Sequence, residues 1–258
     1  MRLPNLGLVS IFLSVFLLSS CVSNIDTGAP KVDKQKALEA HVKLGMNYLQ
    51  KGDRDRAQRS FAKAQELDSR SAEAMQGVAL VHQINGELEL AEEKFKKALK
   101  LRADFSMASI ELSYARFLYA AERYDEAIGF LEAASSDINY PSRVNALYLL
   151  GLCSLQLGDR VRAIGSFEHA LNINPRYAPA AIELAELYFE DRVYPDAKKY
   201  LDIFGANSRQ SARSLWLGIR LERIFGNKDK EASYALALKN LHPYSKEYLE
   251  YKRLQNNK

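Results

Sequence analysis

Small and apolar positions return along this chain at a fixed interval. Gly52, Ala57, Phe61 and Ala64 recur 34 residues later as Gly86, Ala91, Phe95 and Ala98. After two-residue insertions the same positions return as Ala127, Leu131 and Ala134, then as Gly158, Ala163, Phe167 and Ala170, and once more as Ala197, Leu201 and Phe204. Ahead of each set lies a second motif: Leu44-Gly45 with Tyr48, Val78-Ala79 with His82, Tyr114-Ala115, Leu150-Gly151, and Leu184-Ala185 with Tyr188. Self-similarity at this period predicts units of two helices each, near residues 38–71, 72–105, 108–141, 144–177 and 178–211. A degenerate sixth unit near 212–245 has Trp216, Gly218, Gly226 and Ala232 only roughly in phase.

The pattern has a physical reading. Gly45, Ala79, Ala115, Gly151 and Ala185 let the two antiparallel helices of a unit approach closely, and the Phe or Leu of the second helix fills the gap. Gly52, Gly86 and Gly158 suit a left-handed turn that other residues enter at a cost. Arg192 stands in that place in the fifth unit, and Pro195 fits the first turn of the helix that follows. No unit can bury its apolar face alone, so the units must stack, each against its neighbours. Tyr244, Tyr248 and Tyr251 lie at i, i+4 and i+7, one helical stripe, which predicts a helix capping the last unit.

A 34-residue period with L-G-x-x-Y, A-x-x-x-F and a closing proline resembles the tetratricopeptide repeat. Pro175 holds the closing position in the fourth unit, whereas Ser69, Ala103, Asn139 and Arg209 depart from it. The resemblance implies an all-α fold, a right-handed superhelical solenoid of about six helix-turn-helix units. In proteins with this repeat the first helices line a concave groove. Carried onto this chain, the inward positions include Gln76, Gln83, Arg116, Leu155, Ile182, Glu186 and Phe189. The apolar ones, Val42, Met46, Leu49, Leu80, Leu112, Tyr119, Tyr148 and Leu152, form the expected partner-binding groove, suited to a peptide or an amphipathic helix. The competing reading is that these side chains pack against the adjacent repeat.

The chain opens differently. Arg2 is followed by an uncharged apolar run from Leu6 to Leu18, too short to span a bilayer and typical of a secretory signal. Leu18-Ser19-Ser20-Cys21 resembles the lipobox of bacterial lipoproteins, which implies cleavage before Cys21 and acylation of its thiol and new amine. Val22 follows Cys21 in place of the aspartate that resembles an inner-membrane retention signal, which favours the outer membrane. Val22 to about Asp33 is polar, with Gly28 and Pro30, and reads as a tether reaching at most roughly 40 Å. The expected domains are therefore a signal peptide over 1–20, a lipidated N-terminus and flexible tether over 21–35, and the repeat domain with its capping helix over 36–258. With Cys21 acylated, Cys153 lacks a partner and no structural disulfide is expected.

Charge and chemistry narrow the function by what they lack. A formal net charge of +4 comes from basic residues scattered among acidic ones, with no nucleic-acid footprint. The histidines His41, His82, His169 and His242 are far apart, and His82 and His169 fall where helices pack. No metal-ligand pair, phosphate loop or nucleophile elbow is present. Glu92 and Glu93 read as part of a solvated helix exterior. The expectation is a binding protein with no catalytic residues, cofactor, metal or small-molecule substrate.

The lipobox, short tether, repeats and closing stretch Asn240-Leu241-His242-Pro243-Tyr244-Ser245-Lys246-Glu247-Tyr248 together resemble the PilF/PilW lipoproteins of type IV pilus biogenesis. This implies a pilotin, anchored in the outer membrane and facing the periplasm, that binds secretin subunits and promotes their localisation and multimerisation. The alternative is a lipoprotein scaffold recruiting peptidoglycan enzymes or outer-membrane assembly factors.

Overall fold

A computed structural model of the chain describes residues 33–101 and 107–256. The signal segment and the lipidation candidate Cys21 lie outside them. Thirteen helices and no strands appear among the described residues. They pair in chain order: α1 (Lys34–Gln50) with α2 (Arg54–Leu67), α3 (Ala72–Ile84) with α4 (Leu88–Leu99), and α5 (Met107–Ala120) with α6 (Tyr124–Ser136). Then come α7 (Arg143–Gln156) with α8 (Arg160–Ile173), α9 (Ala178–Glu190) with α10 (Tyr194–Asn207), α11 (Ala212–Ile224) with α12 (Lys228–Leu241), and finally α13 (Lys246–Asn256). These are six helix-turn-helix units and a closing helix, the expected architecture. The first helix starts at Lys34, inside the segment assigned to the tether. The Asp33 carboxylate accepts from the Gln35 and Lys36 N–H groups and draws both residues into the first turn.

The turn within each unit needs one left-handed residue. Gly52, Gly86, Gly158 and Gly226 take it with φ of 74°, 81°, 79° and 75°. Gly226 thereby puts the sixth unit in phase, while Ala232 is exposed. Arg192 adopts φ 62° as its position predicts, and Glu122 does the same in the third unit at 58°. Between units a different device operates. Asp68, Asp137 and Asn174 each accept from the N–H two residues on, making the turn with or without a closing proline.

Phe61, Phe95 and Phe167 are fully buried against the small residues of the first helices. A Cβ added to Gly45 or Gly151 would come within 3.0 Å of the Phe61 or Phe167 ring respectively, so these contacts require glycine. Phe61 is gripped twice, because Gly77 of the next unit approaches the same ring as closely. In the sixth unit Gly218 and Tyr234 make the corresponding approach.

Successive first helices touch one another, α1 on α3, α3 on α5, α5 on α7 and α9 on α11, whereas successive second helices make no comparable contact. The array therefore curves with its first helices inside. On that side α13 packs on α11, with Tyr248 and Tyr251 against the cluster of Leu215, Ile219, Ala235 and Leu238. Tyr244 does not belong to this packing. It precedes α13, is 93% exposed and contributes nothing to the stripe.

Candidate protein-binding groove

The inner face of the first three units forms a hollow of about 550 Å³. Met46 and Leu49 of α1, Leu80 of α3 and Leu112 of α5 supply its apolar wall, and Arg116 its cation. Helical spacing brings Met46 and Leu49 to one side of α1, and Gln76 and Leu80 to one side of α3. The floor is polar. The Gln76 side-chain amide, 3% exposed, donates to the Ser109 carbonyl at 3.0 Å and to Ser113 Oγ at 2.7 Å. Ser113 Oγ in turn donates to the Ser109 carbonyl at 2.9 Å. These bonds tie α3 to α5 and satisfy groups that burial would otherwise penalise.

The eight predicted groove residues do not all meet here. Val42 is core, packed with Leu38, Ala64 and Ala74, because its side of α1 faces the seam with the next unit. Leu112 reaches the hollow but is only 2% exposed, so it serves as floor. Tyr119, at the far end of α5, and Tyr148 and Leu152 of the next unit's α7 do not line the hollow. Tyr119 meets Tyr124 edge-on at 5.3 Å, and Tyr148 meets Phe167 and Tyr177 at 5.8 and 5.7 Å. Burial pushes the Tyr148 hydroxyl up to about 12, fixing it neutral. Leu152 packs against the cores on either side of it. The inward positions thus divide between residues that line the hollow and residues that pack against the adjacent repeat.

At the far end the inner face becomes charged. Arg213 pairs with Glu183 at 2.7 Å and with Glu186, and these two carboxylates hold the guanidinium firmly protonated. Arg213, Glu186, Trp216 and Lys246, Glu247 and Glu250 of α13 border a second hollow of about 440 Å³. Arg220 lies 4.4 Å over the Phe189 ring and 5.5 Å from that of Trp216. Sequence reasoning placed Glu186 and Phe189 inward but gave no sign of these two arginines.

Other singled-out residues find definite places. Glu92 is no solvated exterior group. Its side chain is 22% exposed, and hydrogen bonds from Lys96, Arg123 and Tyr114 hold its carboxyl at about 2. Glu93 is exposed, as expected. His82 bonds the Glu87 carboxylate, and His169 lies 3.4 Å from Arg143. Among the described residues no three His, Cys, Asp or Glu side chains gather in a metal-binding group, and no helix is long and apolar enough to cross a membrane. Cys153 is a free, fully buried thiol whose pKa desolvation pushes up to about 11.

The tetratricopeptide-repeat family model matches residues 42–105 and 115–181. The type IV pilus assembly protein PilF of Pseudomonas aeruginosa is 40% identical over 243 residues, covering 93% of this chain and 96% of that protein. Its solved structure superposes with a TM-score of 0.79, covering 85% of this chain and 98% of that one. The structure of PilW, a widely conserved type IV pilus biogenesis factor, matches at 25% identity with a TM-score of 0.69, covering 84% of this chain and 98% of that one.

Proposed function

Because the chain belongs to the PilF/PilW-type family of tetratricopeptide-repeat proteins, we propose that it acts in type IV pilus biogenesis as a non-catalytic pilotin. In this reading Cys21 carries the lipid anchor in the outer membrane, and the repeats face the periplasm and bind secretin subunits. One acyl chain binds a membrane only marginally, so the several chains of a lipoprotein make the attachment lasting. The tether keeps the repeats within roughly 40 Å of the lipid, and a bound secretin subunit is thereby concentrated at the membrane where it must multimerise.

The observation that carries the proposal is the hollow of the first three units. Met46, Leu49 and Leu80 offer half-buried apolar side chains beside the Arg116 guanidinium, a surface matched to an apolar secretin segment bearing a carboxylate. Met46 can repack around such a segment. The test is a pull-down of the intact lipoprotein from detergent-solubilised envelopes, with Met46→Asp as control and bound proteins identified by mass spectrometry. The expected result is secretin, lost with Met46→Asp. Recovery of peptidoglycan enzymes in its place would transfer the protein to the scaffold class. Cys21→Ser should leave the fold intact and release the protein from the membrane; retention in the membrane would remove the anchor from the reading.

A further inference from the structure

Each unit has a flank that receives the second helix of the unit before it, and this flank recurs as a shallow hollow. In the fourth unit the hollow is lined by Leu147, Leu150, Arg162 and His169, and its far wall is α6, whose Glu132 pairs with Arg162. In the sixth unit the same flank carries Glu222, Lys230 and Tyr234, and the wall is α10, whose Lys198 pairs with Glu222. Glu92 of α4 accepts from Tyr114 and Arg123 across the second junction. Glu168 of α8 accepts from Tyr188 and Tyr200 across the fourth.

Past the first junction, where α2 carries Gln58 and Ala62, the wall residues obey a rule. Relative to the buried Phe95, Leu131, Phe167 or Leu201 of its helix, each stands three places before (Glu92, Lys198) or one place after (Glu132, Glu168, Asp202). These two places are one helical turn apart and point the same way. The group on the wall is opposite in charge to the flank, or is a carboxylate meeting a hydroxyl.

The first unit has this flank and, among the described residues, no wall. Leu44, Tyr48, Arg56, Arg59 and Lys63, with His41, border a hollow of about 290 Å³, and Arg56 holds the place of Arg162. Leu44 is 41% exposed. Among the described residues Arg56 pairs only with Asp53 of its own unit, and it lies 5.6 Å over the Tyr48 ring. Arg59 and Lys63 have no acidic partner among the described residues.

We propose that this flank docks an acidic amphipathic helix of a partner protein, seated where a preceding second helix would stand. Its carboxylates, one turn apart, meet Arg56, Arg59 and Lys63, and its apolar side covers Leu44 and Tyr48. A second copy of this chain does not supply those carboxylates. Its last second helix, α12, carries Ala232 and Leu236 at the two wall positions and brings no charge. The flank lies at the end of the array, apart from the inner hollow, so it stands independently of how that hollow is used.

The test titrates the full chain in non-ionic detergent with a labelled alanine-leucine helical peptide bearing glutamates at i and i+4, read by fluorescence anisotropy. Expected are saturable binding that weakens with salt, and a loss of about tenfold or more when the glutamates become glutamines or when Arg59→Glu and Lys63→Glu are combined. Both substituted residues are exposed, and circular dichroism checks that the fold survives. Met46→Asp, which disturbs the inner hollow, should leave the peptide's affinity unchanged. Absence of binding, indifference to the charge reversals, or loss with Met46→Asp would each overturn the proposal. So would phosphatidylglycerol vesicles engaging the flank where the peptide does not, which would make it a membrane contact.

Discussion

Glu92 of α4 reaches across the junction between the second and third units to Arg123, Oε1 to Nη1, at 2.8 Å. Hydrogen bonds from Lys96, then Arg123 and Tyr114, hold its pKa at about 2 against an ordinary 4.5. A carboxyl depressed in this way stabilises the fold fully above its unfolded pKa and loses that contribution as pH falls through its folded one. Discounted for the solvent around Arg123, the contribution at neutral pH is about 1–2 kcal/mol. Glu92→Gln should remove it, and urea melts should show a shallower loss of stability between pH 4.5 and about 2 than in the unmodified protein.

Gly77→Ala sets two effects against each other. Alanine is favoured over glycine in a helix by about 1 kcal/mol, but its Cβ would lie within 3.0 Å of the Phe61 ring, where overpacking costs about 1–3 kcal/mol. Because Gly45 holds the same ring from its other side, the ring has little room to move, and a net loss of about 1–2 kcal/mol is expected. Phe61→Leu in the same chain should recover part of it. A double-mutant cycle by urea denaturation reads the coupling.

Glu122→Gly and Arg192→Gly should act in the opposite sense. Both residues hold φ near +60° in the turns where four other units have glycine. Relief of the left-handed strain, partly offset by the greater freedom of glycine in the unfolded chain, gives about 0.5–1 kcal/mol of added stability for each. Thermal melts of the two variants check this.

Cys153 should be silent to thiol reagents at neutral pH. It is fully buried, and desolvation raises its pKa to about 11, so both access and thiolate are lacking. Labelling with a chromogenic disulfide reagent should proceed only as the fold opens in urea; prompt labelling of native protein would show the site to be open.

What the sequence disclosed followed from how local the signal was. Gly45 and Phe61 lie in one unit and recur at a fixed interval, so their contact was readable. Gly77 touches the same ring from the next unit and belongs to no recurring motif, which hid it. Met46, Leu49 and Leu80 line the hollow whereas Val42 lies in the core, since the repeat register alone does not fix how far a side chain turns into the seam. Glu92 looked like any exterior glutamate because, Lys96 apart, its partners lie 22 and 31 residues away. Tyr244 kept the spacing of a helical stripe, but α13 begins only at Lys246.

The packing of α13 on α11 turns the inner face into a ruler with a stop. From α1 to α9 there are four steps between successive first helices, each of roughly 9 Å, before the Trp216 end is reached. An extended segment lying along that face therefore has roughly 36 Å to follow, the length of about eleven residues. A longer segment on that face would run into α13, which closes the inner face at the Trp216 end.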